Sequence, residues 1–277
     1  MSSIAIIGSG TLGIATAHLF KHHKLILFDF VQEQILNLRE REQKYLGKDH
    51  RSLNLDNVLL TSSMRDLKTD NTWVICVPTP THGVNYVLDT SAIEEYLNNA
   101  SEGTHVIFRS TVPLDYCGEA LRRFSDKLKI SYFPEFLREA TALDDVLFPK
   151  RVVWGGELPS QAILKTVATT VGVYSTEFLN TGLFWVSLKE AELIKLYSNA
   201  YLSLRLAFFG QLNKTCQKHD ANFERIVNAL GRDGRIGNHY NKPPFKIGGK
   251  CLPKDLTNLA IQTADPLLQA VTHLISK

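Results

Sequence analysis

Gly248-Gly249-Lys250-Cys251-Leu252-Pro253-Lys254-Asp255 sets one cysteine between two lysines, after a glycine pair and ahead of a helix-like stretch. Neighbouring lysines and a helix N-terminus both favour the thiolate, and Pro253 suits a first helical turn. A thiolate adds to an aldehyde to give a thiohemiacetal, which can lose a hydride to become a thioester that water cleaves. The plainer alternative for Cys251 is a buried loop cysteine, and on these residues alone the two stand about even. Far upstream, Gly8-Ser9-Gly10-Thr11-Leu12-Gly13 joins a strand-like run to a helix-like one. Gly8, Gly10 and Gly13 let such a turn tighten and bring backbone N–H groups of Thr11 and Leu12 up to a pyrophosphate at the helix start. Asp29 closes the second strand, where a carboxylate can bond a ribose hydroxyl. No arginine follows it directly, which favours NAD over NADP. A hydride acceptor and an activated thiol on one chain point to oxidation past the aldehyde.

Other chemistry-bearing residues are weaker signals by themselves. Lys195 and Asn199 lie four apart on a helical pattern, with Glu192 on the same stripe; spacing alone makes this a solvated face. Glu135 sits in Phe133-Pro134-Glu135-Phe136-Leu137-Arg138-Glu139. A carboxylate among so many apolar neighbours is expected to be partly buried, where it can act as a base or orient a water. Cys76, Cys117 and Cys216 are widely spaced and read as small buried hydrophobes. With no CxxC and no paired His/Cys spacing, neither a metal site nor a disulfide framework is expected, and the reducing cytoplasm is the expected compartment.

The elements that must position these residues fall into two regions. The first half alternates Ile4–Ile7 (strand), Ile14–Phe20 (helix), Lys24–Phe28 (strand), Val31–Lys44 (helix), then strands at Trp73–Val77, Thr104–Phe108 and Ile130–Phe133. That alternation predicts an α/β fold, a doubly wound parallel sheet with helices on both faces. Each strand ends in a polar or proline-rich turn, the edge at which such sheets bind ligands. From Ser187 to Phe209, Ala191, Ile194, Tyr197, Tyr201, Leu204 and Phe208 recur at helical spacing; more helix follows at Phe223–Leu230 and after Asp255, separated by a Gly/Pro-rich loop over 231–253. The reading is a nucleotide-binding domain over residues 1–183 and an all-helical domain over 184–277. With 31 basic and 28 acidic residues the net charge is +3, too weak for nucleic-acid or membrane-surface binding but suited to an anionic ligand. No apolar run nears the roughly 20 residues that span a bilayer, and the N-terminus enters a strand at once, so no leader is expected.

Taken in order, these segments resemble the UDP-glucose/GDP-mannose dehydrogenase family over nearly the whole chain. The glycine turn is followed by Val77-Pro78-Thr79-Pro80-Thr81, Ser110-Thr111-Val112-Pro113 and Pro134-Glu135-Phe136-Leu137-Arg138-Glu139. Then come Asp145, Pro149-Lys150-Arg151, Ala191-Glu192, Lys195-Leu196, Asn199-Ala200, Arg235-Ile236-Gly237 and the Cys251 segment. Any one is weak; the ordered set is specific. The resemblance implies a Rossmann-like fold and NAD-dependent, four-electron oxidation of a nucleotide sugar to its uronate. It implies Cys251 as nucleophile, Lys195 as stabiliser of the oxyanion, and Asp255, Thr111 and Glu135 around a water. Asn199 and Gly248 would help to hold the sugar, and Glu139 would lie near cofactor and substrate. Val77, Pro78, Thr79 and Thr111 would line the cofactor. It also implies a homodimer in which Arg235 enters the partner's site.

The chain departs from the family pattern at Thr11, where an aromatic is usual, and at Ala140, where glycine is. It ends at Lys277, so the family's third, nucleotide-binding domain is expected to be absent. Two other readings stay open on sequence: a two-electron dehydrogenase of a smaller alcohol or hydroxy acid, and a non-catalytic NAD-binding partner of a full-length homologue.

Overall fold

The computed structural model describes residues 3–46, 52–69, 72–82, 87–170, 182–243, 245 and 251–275. The strands are β1 (Ile4–Ile7), β2 (Leu25–Phe28), β3 (Val58–Thr61), β4 (Thr72–Ile75), β5 (Thr81–His82), β6 (Val87–Leu88), β7 (His105–Phe108), β8 (Lys129–Tyr132), β9 (Val152–Gly156) and β10 (Leu183–Val186). The helices are α1 (Thr11–Leu19), α2 (Gln32–Leu36), α3 (Leu38–Leu46), α4 (Ser91–Asn99), α5 (Tyr116–Phe124), α6 (Ala142–Leu147) and α7 (Gln161–Thr170), then α8 (Leu188–Lys218), α9 (Phe223–Leu230), α10 (Cys251–Thr263) and α11 (Pro266–Ile275).

Two compact units emerge: Met1–Thr79 with Asp89–Lys195, and Pro80–Leu88 with Leu196–Lys277. The first is built on an eight-stranded sheet of order β10-β9-β8-β7-β4-β1-β2-β3. Its strands are apolar on both sides, as a sheet covered on both faces requires. Side chains alternate across it: Ile4 and Ile6 enter one core with Ile14, Phe133 and Trp154, while Ala5 and Ile7 enter the other with Phe28, Phe108 and Tyr132. Pairing from β3 through β8 is parallel, as the alternation predicts. β9 is the exception: it runs antiparallel to β8 and parallel to β10. Gly155 and Gly156 end β9 because α8 crosses them closely. A Cβ on Gly155 would come within 2.7 Å of the Ala191 Cβ, and Gly156 adopts φ +85°.

Two predicted helices change extent. The segment 31–44 is not continuous, since Asn37 leaves helical geometry between α2 and α3. In contrast, α8 runs nine residues past Phe209. Its start is set by a capping box, with Ser187 Oγ accepting from Glu190 N and Ser187 N donating to Glu190 Oε2. The second unit holds the rest of α8, α9, the packed pair α10 and α11, and the small antiparallel pair β5–β6, so it is helical but not wholly so. Among the described residues no helix is long and apolar enough to cross a membrane, and no His/Cys/Asp/Glu group could hold a metal ion.

Candidate active site

In the first unit, the sequence-predicted cofactor residues follow the C-terminal ends of adjacent parallel strands. Gly8–Gly13 follow β1, Asp29 follows β2, Val77–Thr79 follow β4, and Thr111 follows β7. Strand β1 has β2 on one side and β4 on the other, the topological switch point at which open α/β sheets bind ligands. Gly8 has φ +98° and no room for a side chain: a Cβ there would lie 2.8 Å from the Cys76 carbonyl oxygen. At Gly13 a Cβ would lie 1.8 Å from the Gly8 oxygen, so α1 and β1 meet only because both are glycine. Gly10 has open space where its side chain would be and starts α1 without a side-chain cap. The N–H groups of Thr11 and Leu12 thus open a helix terminus to a phosphate. This cradle fits a dinucleotide.

Ser9 and Arg41, which carry no spacing signal in the sequence, complete the turn. Ser9 donates from N and Oγ to Asp29 Oδ2 at 2.8 and 2.7 Å, and Val31 N donates to Asp29 Oδ1. Arg41 Nη1 donates to Ser9 Oγ at 2.7 Å. On the other side of β1, Ser110 Oγ donates to the Val77 carbonyl and Thr79 Oγ1 to the Thr111 carbonyl. These bonds tie the turns after β4 and β7 together. Pro78 is exposed at their edge.

Glu135 lies three residues beyond β8. Lys195 reaches it from α8, its Nζ donating to the Glu135 carbonyl and to Oε1, both at 2.7 Å, while Leu137 N donates to Oε2. Burial works to raise the carboxyl pKa, but the Lys195 charge and hydrogen bond, the Leu137 amide and nearby Arg109 outweigh it and hold Glu135 below the usual carboxylate range. The solvated-face reading of α8 is wrong: Glu192, Lys195 and Asn199 are 1%, 2% and 7% exposed. Ala191 and Leu188 press that face onto the sheet core. Glu192 accepts from Asp115 N and Cys117 N, capping α5. Glu139 is exposed in a short 3₁₀ turn on the same strand-end edge.

In the second unit Asn199 Nδ2 donates to Asp255 Oδ2 at 2.7 Å. Asp255 is fully buried, and Lys254 Nζ lies 2.9 Å from its Oδ1, an ion pair without hydrogen-bond geometry. Cys251 is exposed, whereas Cys76, Cys117 and Cys216 are buried, and none of the four is in a disulfide. Cys251 is the first residue of α10; the helix begins at the thiol, not after Asp255, so a helix N-terminus acts on it directly. Lys254 is turned to Asp255. Lys250 and Gly248 lie outside the described residues. Arg235 is exposed and held by Asp233, with its Nη2 2.6 Å from Oδ2. Arg205, unmarked in the sequence, donates to the carbonyls of Ile236, Gly237 and His239 and so fixes the Arg235-Ile236-Gly237 segment.

Residues 2–176 match the model for the UDP-glucose/GDP-mannose dehydrogenase family NAD binding domain, and residues 189–274 that for its central domain. A UDP-glucose 6-dehydrogenase of Campylobacter jejuni is 32% identical over 266 residues, covering 92% of this chain and 66% of that protein. One of Streptococcus pneumoniae is 29% identical over 286 residues, covering 98% and 71%. The chain thus spans about two thirds of its relatives' length. In fold it is similar to a UDP-glucose dehydrogenase of Pyrobaculum islandicum, with TM-score 0.80 and 22% identity over all of this chain and 68% of that one. The first unit's dinucleotide cradle is therefore an NAD-binding domain, and the chain belongs to the UDP-glucose/GDP-mannose dehydrogenase family.

Proposed function

We propose that the chain oxidises the C6 alcohol of a nucleotide sugar, UDP-glucose-like, to the carboxylate, with two NAD reduced per sugar. The observation that carries this reading is the burial of Lys195 against Glu135. A lysine taken out of water and set on a ligand-edge carboxylate serves charge that develops during a reaction, not solubility.

When bound, NAD accepts the hydride lost at each oxidation. Lys195 stabilises the alkoxide of the alcohol and then the oxyanion of the adduct. Cys251 Sγ adds to the aldehyde carbon, forming the C–S bond and retaining the intermediate. Loss of the second hydride from that carbon leaves the thioester. Asp255, Glu135 and Thr111 hold the water that attacks it; the C–S bond breaks, the sugar leaves as the acid, and the thiol is restored. Asn199, already bonded to Asp255, holds the sugar, with Gly248 helping and Glu139 near cofactor and substrate. Arg235, exposed at its segment's surface, is the residue a homodimer partner would receive. The unbridged cysteines suit the cytoplasm.

Purified chain given NAD and a panel of UDP- and GDP-sugars should yield two NADH per sugar and the uronate, and Cys251→Ala should form no acid. One NADH per substrate, unaffected by Cys251→Ala, would replace this reading with a two-electron dehydrogenase. Tight NAD binding without turnover of any sugar would favour a non-catalytic partner.

A further inference from the structure

Arg109 follows β7 in the first unit and plays no part in the chemistry above. It is only 3% exposed. Its guanidinium carbon lies over the Phe133 ring, 4.0 Å from the centroid, and Phe133 stacks in turn on Trp154. Yet Nε and Nη1 are both buried without a protein acceptor. A charged group seldom leaves such donors unmatched, because desolvating them is expensive. Arg109 instead lines a cavity of ≈ 30 Å³, whose walls include Glu135, Asp145 and Arg151. A volume of that order admits about two waters. An anion is disfavoured, because Glu135 already brings a carboxylate to the wall. Asp145 is held by Arg138, and Glu135 has Lys195 and Leu137 N, so neither turns wholly to Arg109.

We propose that this cavity holds ordered water bonded to Arg109 Nε and Nη1, and that Arg109 is a positioning residue that acts on Glu135 through that water. The inference deepens the reading of Glu135 as a water-orienting carboxylate and rests on it. In support, Arg109 contributes to holding the Glu135 carboxyl down. The charged or titratable groups around the pair are Lys195 from α8, Cys76 after β4, Asp145 from α6 and Arg151 before β9. Lys195 supplies charge and direct bonds to Glu135; Arg109 supplies a second cation.

The test is a carboxyl-carbon NMR titration of the full chain labelled at glutamate, with the Glu135 signal assigned by its loss in Glu135→Gln. Arg109→Met should move the Glu135 midpoint up, and Arg109→Lys should bring most of it back. A crystal structure of the unsubstituted chain should show water within hydrogen-bond distance of Nε or Nη1. An unmoved midpoint in folded Arg109→Met would overturn the proposal, as would a dry cavity even if that variant fails to fold. Turnover separates this from the reading beneath it. If Glu135→Gln turns over at the unsubstituted rate, the catalytic reading of Glu135 fails whatever the titration shows.

Discussion

Lys195 is the residue on which the proposed chemistry and the stability of the first unit meet. Its ammonium satisfies the Glu135 carboxylate and carbonyl together. On the proposed mechanism Lys195→Ala removes one oxyanion contact, which commonly lowers kcat by on the order of a hundredfold or more. It also strands a buried carboxylate, at a stability cost of about 3 kcal/mol. Steady-state kinetics and thermal melts should show both effects; an unchanged kcat with a lowered Tm would make the lysine structural. The pair has a defined pH signature. Because Glu135 is held below its ordinary value, the pair's contribution is complete above the unfolded carboxyl pKa of about 4.3 and is lost as pH falls through the lower folded value. Nothing in the sequence showed that Lys195, Glu192 and Asn199 were buried. Four-residue spacing places side chains on one helix face, but a polar face looks the same whether it meets water or the end of a strand.

At the scale of elements, the strand ends carry the candidate site and their packing makes sharp predictions. Gly13→Ala would drive a Cβ into the Gly8 carbonyl. It should destabilise the chain by about 1–3 kcal/mol and weaken NAD binding, measured by fluorescence quenching; retention of both would mean that α1 can shift away from β1. Strands β7 and β8 are bridged by a buried histidine. His105 Nε2 donates to Ser131 Oγ, which itself donates to the Glu157 carbonyl. Burial, helped by the Lys129 charge, pushes the His105 pKa down to about 4. A folded value below the unfolded one, about 6.5, means that the unfolded chain binds the proton first. Stability is therefore full above pH 6.5 and falls as pH drops toward 4, by on the order of 3 kcal/mol. Urea midpoints across that window should slope upward with pH, and His105→Gln should flatten the slope. Periodicity located most of these elements, but not the antiparallel β9. There Gly155 and Gly156 receive α8, a contact between segments more than 30 residues apart that periodicity does not report.

Across the whole molecule, the glycine cradle and the proposed nucleophile Cys251 belong to different compact units, the first and the second. Cys251→Ala should therefore abolish acid formation while leaving NAD affinity within about twofold, since the buried core that shapes the cradle is not disturbed. A large loss of NAD binding in that variant would show that the two units are energetically coupled. The sequence by itself determined the parallel α/β sheet, the cradle glycines, Asp29 and the ordered motif set that marks the family. These rest on local rules: strand alternation, backbone freedom at glycine, and residue types at fixed spacing. Only the tertiary structure decided that Lys195 belongs to Glu135 and Asn199 to Asp255, that Lys254 is turned to Asp255, and that Ser9 and Arg41 complete the Asp29 turn. The orphaned donors of Arg109 likewise became visible only in the fold. Lys254 and Asp255 apart, those pairings join residues from about 20 to 60 positions apart. At that separation partners are chosen by how helices seat on the sheet and on each other, and side-chain burial, not sequence pattern, decides which polar groups must satisfy one another.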